Sequence, residues 1–175
     1  YIGSLIDITE RKLIETELRI AATAFEAHEA MIITDADSII LRVNKAFTDI
    51  TGYTADEAIG KRMNLLQSGY HDNVFYETMW KSIIETGTWQ GEIWDRRKNG
   101  ELYPEWLTIT AVTDTLGKVT HYIGTQSDIS KLKEAERKVR LLAYYDPLTK
   151  LPNKHLLQEH IEPVSYTHLT LPTIL

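Results

Sequence analysis

The Asn99–Gly100 dipeptide and the segments around it limit what this chain can fold into more than any other feature. An Asn-Gly pair supplies the positive φ angles of a tight hairpin turn, so it is the strongest short-range signal for two antiparallel strands. The flanking segments 89–98 and 101–113 are rich in Trp, Ile, Leu and Thr, and the turn 115–118 leads into a third such segment, 119–129. We therefore predict three consecutive antiparallel strands.

The same turn predicts which residues pair across the hairpin. With Asn99 and Gly100 as a two-residue loop, counting outward places Arg97 opposite Leu102, Asp95 opposite Pro104 and Ile93 opposite Trp106. Because side chains alternate between the faces of a strand, Asp95 and Trp106 would share one face and Glu105 would lie on the other. Both faces mix polar and apolar residues. We therefore expect helices to cover one face and a linker helix or a dimer partner to cover the other.

Two shorter strands and several helices are predicted ahead of this hairpin. Segments 31–34 and 39–43 are short, mostly apolar runs typical of buried strands. Asn44 is a typical helix N-cap, and Thr54 begins a capping box. Segment 71–85 has apolar residues at helical spacing. The order of two strands, helices and three strands predicts an α+β fold.

The start of the chain is nearly repeated further along. Segments 1–12 and 122–133 are identical at six of twelve positions, with a constant offset of 121. A recurrence at the spacing of a domain indicates a tandem array. We therefore assign residues 1–9 to the end of a preceding module, as its last strand.

Each copy is followed by a segment with helical periodicity, 10–25 and 131–145. Apolar residues recur at coiled-coil spacing in both segments: Ile14, Leu18 and Ala21 in the first, Ala135, Val139 and Leu142 in the second. We expect two linker helices and a homodimer formed through them. A linker helix that instead lies on its own domain is the alternative.

Composition excludes several classes of function. The chain has 19 Lys and Arg against 25 Asp and Glu, a net charge of −6, so no basic surface for nucleic acid is expected. It has no cysteine, which removes disulfides, thiolate metal sites and thiol nucleophiles. No apolar stretch is long enough for a membrane span, and no signal peptide is visible. We expect a cytoplasmic chain without membrane contact, whose parent protein could still be anchored upstream.

Several motifs, in order, resemble those of the PAS sensor domain with its C-terminal PAC segment. They are Asn44-Lys45-Ala46-Phe47, Thr51-Gly52-Tyr53, Trp89-Gln90-Gly91-Glu92, Arg96-Arg97-Lys98-Asn99-Gly100, Tyr122-Ile123-Gly124 and Asp128-Ile129-Ser130. The resemblance covers residues 26–130. It implies a five-stranded antiparallel sheet with helices on one face, enclosing a pocket for a small molecule.

Some relatives of this type bind flavin, which makes FAD a candidate cofactor. The resemblance implies five candidate cofactor-binding residues: Asn44, Gln67, Ser68, Trp89 and Asp95. Those relatives usually have Asn where this chain has Asp95, and an unpaired carboxylate facing a pocket is costly. Met63 stands near the place of the reactive cysteine of blue-light-sensing relatives, so flavin–cysteine adduct chemistry is excluded. The alternative is a small or empty pocket with Trp89 in the core.

Metal, haem and hydrolytic sites are not expected. The chain has six histidines, but no pair of them stands at metal-ligand spacing on one predicted element. Haem needs an axial ligand, and His71 is better explained as a polar residue at a helix start. No serine lies in a nucleophile-elbow pattern. We predict neither catalytic nor metal-binding residues.

Segment 142–154 resembles the entry into a GGDEF (diguanylate cyclase) domain. Asp146 and Asn153 match that family, and Lys154 stands where arginine is usual. We assign 146–162 to the truncated start of such a domain. Its signature loop is absent, so we do not expect this chain to be an enzyme, although its parent would be a diguanylate cyclase. The uncharged tail 163–175 resembles neither family, and we predict that it is non-native sequence, disordered or loosely docked.

Together these features predict a non-catalytic sensory module. It would relay a stimulus through the helix at 131–145 to a downstream diguanylate cyclase domain, in cyclic di-GMP signalling. Three alternatives stay open: a flavin-binding redox sensor, a dimerisation spacer with an empty pocket, and cyclase activity confined to the intact parent.

Overall fold

The computed structural model describes residues 2–26 and 29–154, with only the backbone for residues 2–11. The chain divides into two units, Tyr1–Ile129 and Ser130–Leu175. Residues 155–162 of the predicted cyclase start and the whole 163–175 tail lie outside the described residues, so those two assignments stay predictions.

The first unit begins with a helix and contains one sheet. Helix α1 spans Ile2–Phe25. The five strands of the sheet are β1 Ala30–Asp35, β2 Ile40–Val43, β3 Thr88–Arg96, β4 Leu102–Thr113 and β5 Val119–Asp128. The strand order is β2-β1-β5-β4-β3, and every neighbouring pair is antiparallel. The predicted α+β class and five-stranded antiparallel sheet are confirmed.

Three helices and a 3₁₀ turn lie between β2 and β3. They are α2 Lys45–Thr51, α3 Ala55–Ala58, the 3₁₀ turn Met63–Leu66 and α4 Asn73–Thr86. Side chains begin them as the sequence predicts: Asn44 caps α2 and Thr54 forms a capping box with Glu57. Helix α4 is capped by Asp72 and ends at Gly87, whose φ of 79° favours glycine.

The main core lies where α2 and α3 pack on β1 and β2. Ile32 and Ile40 of the sheet meet Phe47 of α2 and Leu66 of the 3₁₀ turn, and all four side chains are buried. Burial of each such side chain contributes about 1.5–3 kcal/mol to folding. Helix α4 packs on β3 at the other edge of the sheet. The two packed regions leave space between them, against the middle of the sheet.

The predicted hairpin register is wrong by one residue. Asp95 lies opposite Tyr103, Ile93 opposite Glu105 and Glu92 opposite Trp106. The loop has three residues, because the Arg97 N–H donates to the Glu101 carbonyl at 2.9 Å and the Gly100 N–H donates to the Arg97 carbonyl at 2.9 Å. This is the usual three-residue hairpin loop, in which a β-turn closed by the Arg97–Gly100 bond is followed by a bulge at Gly100, whose φ is 91°.

A one-residue slip moves every side chain of β4 to the other face of the sheet. Glu105 therefore shares a face with Asp95, and Trp106 lies on the opposite face, where it is 46% exposed. That opposite face also carries the half-exposed Leu102. Its cover by a linker helix or a partner stays a prediction.

Residues 2–9 are helical, so the strand expected there does not form. A strand needs a neighbour for its backbone hydrogen bonds, whereas a helix makes these bonds within itself. Their assignment to a preceding module stays a prediction. At the other end of α1, Phe25 is buried beneath the Arg42 guanidinium, which lies 4.6 Å from the ring centre.

The described part of the second unit, residues 130–154, contains helix α5, Ser130–Tyr144, and a turn. The helix predicted at 131–145 is therefore present, while its signalling role stays a prediction. In the turn, the Asp146 carboxylate accepts from the Thr149 N–H at 2.8 Å, and the Asn153 amide donates to the Ala143 carbonyl at 2.7 Å. Among the residues that the structure describes, no helix has both the length and the apolar character to cross a membrane.

Candidate functional site

A cavity of about 860 Å³ lies between the middle of the sheet and α4. This is within the range of sites that hold small molecules. Its apolar wall comes mainly from Ile32, Met63, Met79, Trp80, Ile84, Ile93, Leu107 and Ile109. Its polar lining includes Asn64, Gln67, Tyr76, Asp95 and Gln126. A mostly apolar wall with a few polar groups is the usual composition of a ligand site.

The segment after the 3₁₀ turn places Gln67 at this cavity. Gln67 forms an isolated antiparallel bridge with Asp95, so the chain runs along the open edge of β3. The Ser68 hydroxyl donates to the Trp94 carbonyl, and the Trp94 N–H donates to Nε2 of His71 at 2.9 Å. The Arg96 guanidinium donates to the Gln67 carbonyl at 3.1 Å. These bonds satisfy an edge strand that would otherwise be open to other chains.

Two carboxyl groups lie together on the sheet beside the cavity. Asp95 on β3 lines the cavity, and Glu105 on β4 is its neighbour on the same face. Asp95 is 6% exposed and Glu105 is fully buried. Gln126 on β5, 1% exposed, donates from Nε2 to Oε1 of Glu105 at 2.8 Å. We call Asp95, Glu105 and Gln126 the acid floor of the cavity.

Burial raises the pKa of both carboxyl groups, because a charged form loses hydration there. The pKa of Asp95 is raised to about 7. Burial, and then the neighbouring Asp95 charge, raises the pKa of Glu105 to about 8. The pair therefore keeps a proton at neutral pH, and its titration belongs to both groups together.

Four buried polar atoms beside or near the acid floor have no hydrogen-bond partner. They are Oε2 of Glu105, Oε1 of Gln126 and the hydroxyls of Tyr76 and Tyr103. Gln67 lies near the Tyr76 hydroxyl and Glu105 lies near the Tyr103 hydroxyl, so Oε1 of Gln126 is the acceptor with no group beside it to satisfy it. Two ionised carboxylates can only accept hydrogen bonds. When the pair retains a proton, one carboxyl group can donate to the other, and this bond joins Asp95 and Glu105. Gln126 and Tyr76 line the cavity, where a ligand or water can reach them. Each unsatisfied buried group costs about 1–3 kcal/mol, which makes an occupied cavity favourable.

The structure brings together two of the five predicted site residues, Gln67 and Asp95, in the cavity wall. Asn44 instead holds three parts of the fold together. Its Oδ1 accepts from the N–H groups of Met31 and Phe47 at 2.9 and 3.0 Å, and its Nδ2 donates to the carbonyls of Phe25 and Glu29, each at 2.8 Å. It is 2% exposed and does not line the cavity.

Ser68 and Trp89 are also outside the cavity lining. Ser68 secures the edge of β3. The Trp89 ring lies over Gly91, where a Cβ would come within 2.8 Å of a ring carbon. The same ring meets Phe75 edge to face, with centroids 5.9 Å apart. Ser68 and Trp89 therefore stabilise β3 and its contact with α4, and neither contributes to the cavity lining.

Sequence reasoning missed Glu105, Gln126 and Tyr76. Glu105 was placed on the other face by the two-residue loop, and a three-residue loop ending in Gly100 would have placed it correctly. Gln126 could then have been found, because β5 pairs Leu107 with it. Tyr76 carries no sequence signal beyond its place in α4.

His71 is held in place by a hydrogen bond and by ring stacking. It accepts from the Trp94 N–H, and its ring stacks on Phe75 with centroids 4.0 Å apart. Burial lowers its pKa, which favours the neutral ring that this bond requires. Within residues 2–26 and 29–154, no group of three or more His, Cys, Asp or Glu is placed to hold a metal ion.

Comparison with known proteins places these features in context. A family model described as "PAS domain" matches residues 28–131. The nitrogen fixation regulatory protein of Klebsiella oxytoca is 31% identical over 115 residues, which are 66% of this chain and 23% of that protein.

Two solved structures have the same fold. An RNA-binding light-oxygen-voltage receptor superposes with a TM-score of 0.63 at 27% identity, covering 71% of this chain and 36% of that chain. A light-oxygen-voltage domain studied with a flavin analogue superposes with a TM-score of 0.56 at 25% identity, covering 70% of this chain and 96% of that chain. The chain spans only 14% to 40% of the length of the curated relatives it matches.

Proposed function

Because this chain belongs to the PAS domain family of sensory and signal-transduction domains, we propose that it reports the occupancy of its cavity to a domain that follows α5. The observation that carries this proposal is the cavity of about 860 Å³ with the unpartnered Oε1 atom of Gln126 in its wall, where the Tyr76 hydroxyl lies close to Gln67. A small molecule with polar groups would satisfy this oxygen, and its binding would change the packing of the sheet.

The test is whether the purified chain retains a small molecule in this cavity. Gly124 lines the cavity, and a Cβ there would lie 4.0 Å from both Ile32 and Leu107. Gly124→Leu should therefore fill the space without a backbone clash. We expect native mass spectrometry to detect a bound small molecule in the wild type after incubation with cell extract, and none in the variant. Equal retention by both, or none by the wild type, would contradict the proposal.

A flavin such as FAD is the second candidate ligand, supported by the light-oxygen-voltage neighbours. When bound, it would supply a redox-active ring that absorbs visible light. Asn64 and Gln67 offer amide N–H groups for the ring carbonyls. Asp95 faces the same cavity and can donate to a ring carbonyl only while it carries a proton, so a bound flavin would require the acid pair to stay protonated. An absorbance scan of the purified protein decides the matter, and an oxidised-flavin spectrum would establish this candidate.

For the output, we propose a diguanylate cyclase domain after residue 154 in the parent protein. The resemblance of segment 142–154 to a GGDEF entry supports this, and so does the turn in which Asp146 and Asn153 bond to the backbone. The chain itself would have no catalytic residues. Incubation with GTP and Mg²⁺ should therefore give no cyclic dinucleotide, and any such product would contradict this part of the proposal.

We also propose a homodimer formed through the linker helices, in the cytoplasm. Leu132, Val139 and Leu142 of α5 are 56%, 67% and 69% exposed in the chain described. Exposed apolar residues at this spacing are typical of a helix that pairs. Light scattering should give a dimer for the wild type and a monomer for Leu142→Asp. A monomeric wild type would overturn the homodimer.

A further inference from the structure

The acid floor presents hydrogen-bond acceptors to the cavity. The Asp95 carboxyl is one of them. The second is Oε1 of Gln126, because the amide nitrogen of that residue is already bonded to Glu105. An acceptor that is almost fully buried and unpartnered at a cavity wall needs a donor from whatever fills the cavity.

The acid floor also lacks a cation. Among the described residues, neither Asp95 nor Glu105 forms an ion pair with Lys or Arg. Arg97 is engaged by Asp128 and Glu101, and its guanidinium lies 3.9 Å from the centre of the Tyr103 ring.

The other titratable groups around the floor do not supply that cation. Tyr76 from α4 and Tyr103 from β4 face the pair as neutral phenols, and Asp128 from β5 adds a further negative charge near Glu105. Lys81 also lies at the cavity wall, but its Nζ pairs with Oε1 of Glu85 at 3.9 Å. Glu77 lines the wall as a further carboxylate, and Arg62 there forms no ion pair with Asp95 or Glu105 among the described residues.

We propose that the acid floor of Asp95, Glu105 and Gln126 binds the N–H edge of a cationic, nitrogen-rich ligand such as an amidine, a guanidine or an aminated heterocycle, and gives up its proton on binding. This inference rests on the proposed function, since it names the chemistry of the molecule that fills the cavity. The ligand's N–H groups would satisfy the Asp95 and Gln126 acceptors. Its positive charge would let the two carboxyls ionise together.

Benzamidine, benzamide and benzoate test this chemistry, because they share one ring and differ only at the edge. Benzamidine offers N–H donors and a positive charge, benzamide offers a donor and an acceptor, and benzoate offers two acceptors and a negative charge. Calorimetric or NMR titration of the full chain at pH 6 and pH 8 gives the three Kd values. Glu105→Gln and Asp95→Asn remove one carboxyl each, and Gly124→Leu reports whether a probe enters the cavity.

We expect the wild type to bind benzamidine about tenfold or more tightly than benzamide at pH 8, with benzoate the weakest. Each proton released on binding should make benzamidine bind up to about tenfold more tightly per pH unit between pH 6 and pH 8. Glu105→Gln and Asp95→Asn should each flatten that pH dependence and bring the Kd values of benzamidine and benzamide together. Gly124→Leu should weaken all three probes.

Equal or tighter binding of benzamide or benzoate by the wild type would overturn the inference and leave the proposed function standing, because the cavity would still bind ligands. A benzamidine preference that survives in both Glu105→Gln and Asp95→Asn would also overturn it. Failure of all three probes would overturn it as well. The proposed function would then be judged by the retained-ligand experiment alone.

Discussion

At the scale of single residues, buried polar side chains have two different tasks in this domain. Asn44 is fully bonded, through four hydrogen bonds to the backbone of α1, β1, α2 and the connection between them. The acid floor is incompletely bonded and beside the cavity. A satisfied buried group stabilises one fold, whereas an unsatisfied one marks a place where a ligand can add bonds.

Replacement of Asn44 tests the first task. Asn44→Ala should lower the free energy of unfolding by about 2–4 kcal/mol, because it removes the α2 cap and leaves buried backbone groups unpaired. Urea unfolding measures this. Asn44→Asp keeps the acceptor but not the two donated bonds, so it should lie between the wild type and Asn44→Ala. A loss below about 0.5 kcal/mol for Asn44→Ala would show that other bonds hold these segments.

Replacement of Glu105 tests the second task through pH. The raised pKa values mean that the folded protein holds protons that the unfolded chain has already lost between about pH 5 and pH 8. Wild-type stability should therefore fall as pH rises through this window, by up to about 1.4 kcal/mol per unit for each such proton. Glu105→Gln should flatten the fall of stability with pH. The free energy of unfolding of the variant, relative to that of the wild type, should therefore be higher at pH 8 than at pH 5.

Urea unfolding at both pH values gives the slopes. Glu17→Gln, at an exposed position on α1, is the matched control and should leave the slope unchanged. A Glu105→Gln variant with the wild-type slope would show that the acid pair does not retain a proton.

At the scale of elements, one side chain of the β3–β4 hairpin loop bonds both to α2 and to β5. Arg97, 16% exposed, donates to the Ile50 carbonyl at the end of α2 and pairs with Asp128 at the end of β5. Its guanidinium also covers the Tyr103 ring, beside Glu105. Arg97 therefore connects the acid floor to the residues that directly precede α5.

Arg97→Ala should lower the free energy of unfolding by about 2–4 kcal/mol, because it leaves a carbonyl and a carboxylate without their donor. Arg97→Lys should recover part of the loss, since it keeps the charge but not the forked geometry. Hydrogen exchange should become faster at residues 126–129 in the alanine variant. Unchanged exchange there would mean that Arg97 does not hold the end of β5.

At the scale of the whole molecule, a sensory domain needs an element that has two states and is reached by the ligand site. The contacts from the acid floor through Arg97 end at Asp128, two residues before α5 begins along the chain. Coupling free energies of about 1–3 kcal/mol are typical between such sites, so a modest change at the sheet would be sufficient.

The double variant Val139→Asp, Leu142→Asp should separate sensing from output in the intact parent. It should abolish the ligand response of the proposed cyclase domain and leave the sheet domain folded, because both side chains are exposed on α5. Arg140→Asp adds a carboxylate at a position that is already polar, and it should preserve the response. A normal response in the double variant would exclude the exposed apolar residues of α5 from signalling.

From residue 30 to residue 129, the sequence was sufficient to predict the order of strands and helices, the caps at Asn44 and Thr54, and membership of the PAS family, because each depends on local propensity or short motifs. The strand expected at residues 1–9 is part of a helix instead. The candidate site could be predicted only in part, as Gln67 and Asp95. The position of Glu105 was decided by the tertiary structure. An Asn-Gly pair fits both a two-residue and a three-residue loop, and only the packing of β4 side chains on the covered face of the sheet selects between them. That selection brings two carboxyl groups together beside the cavity, and with them the chemistry of the site.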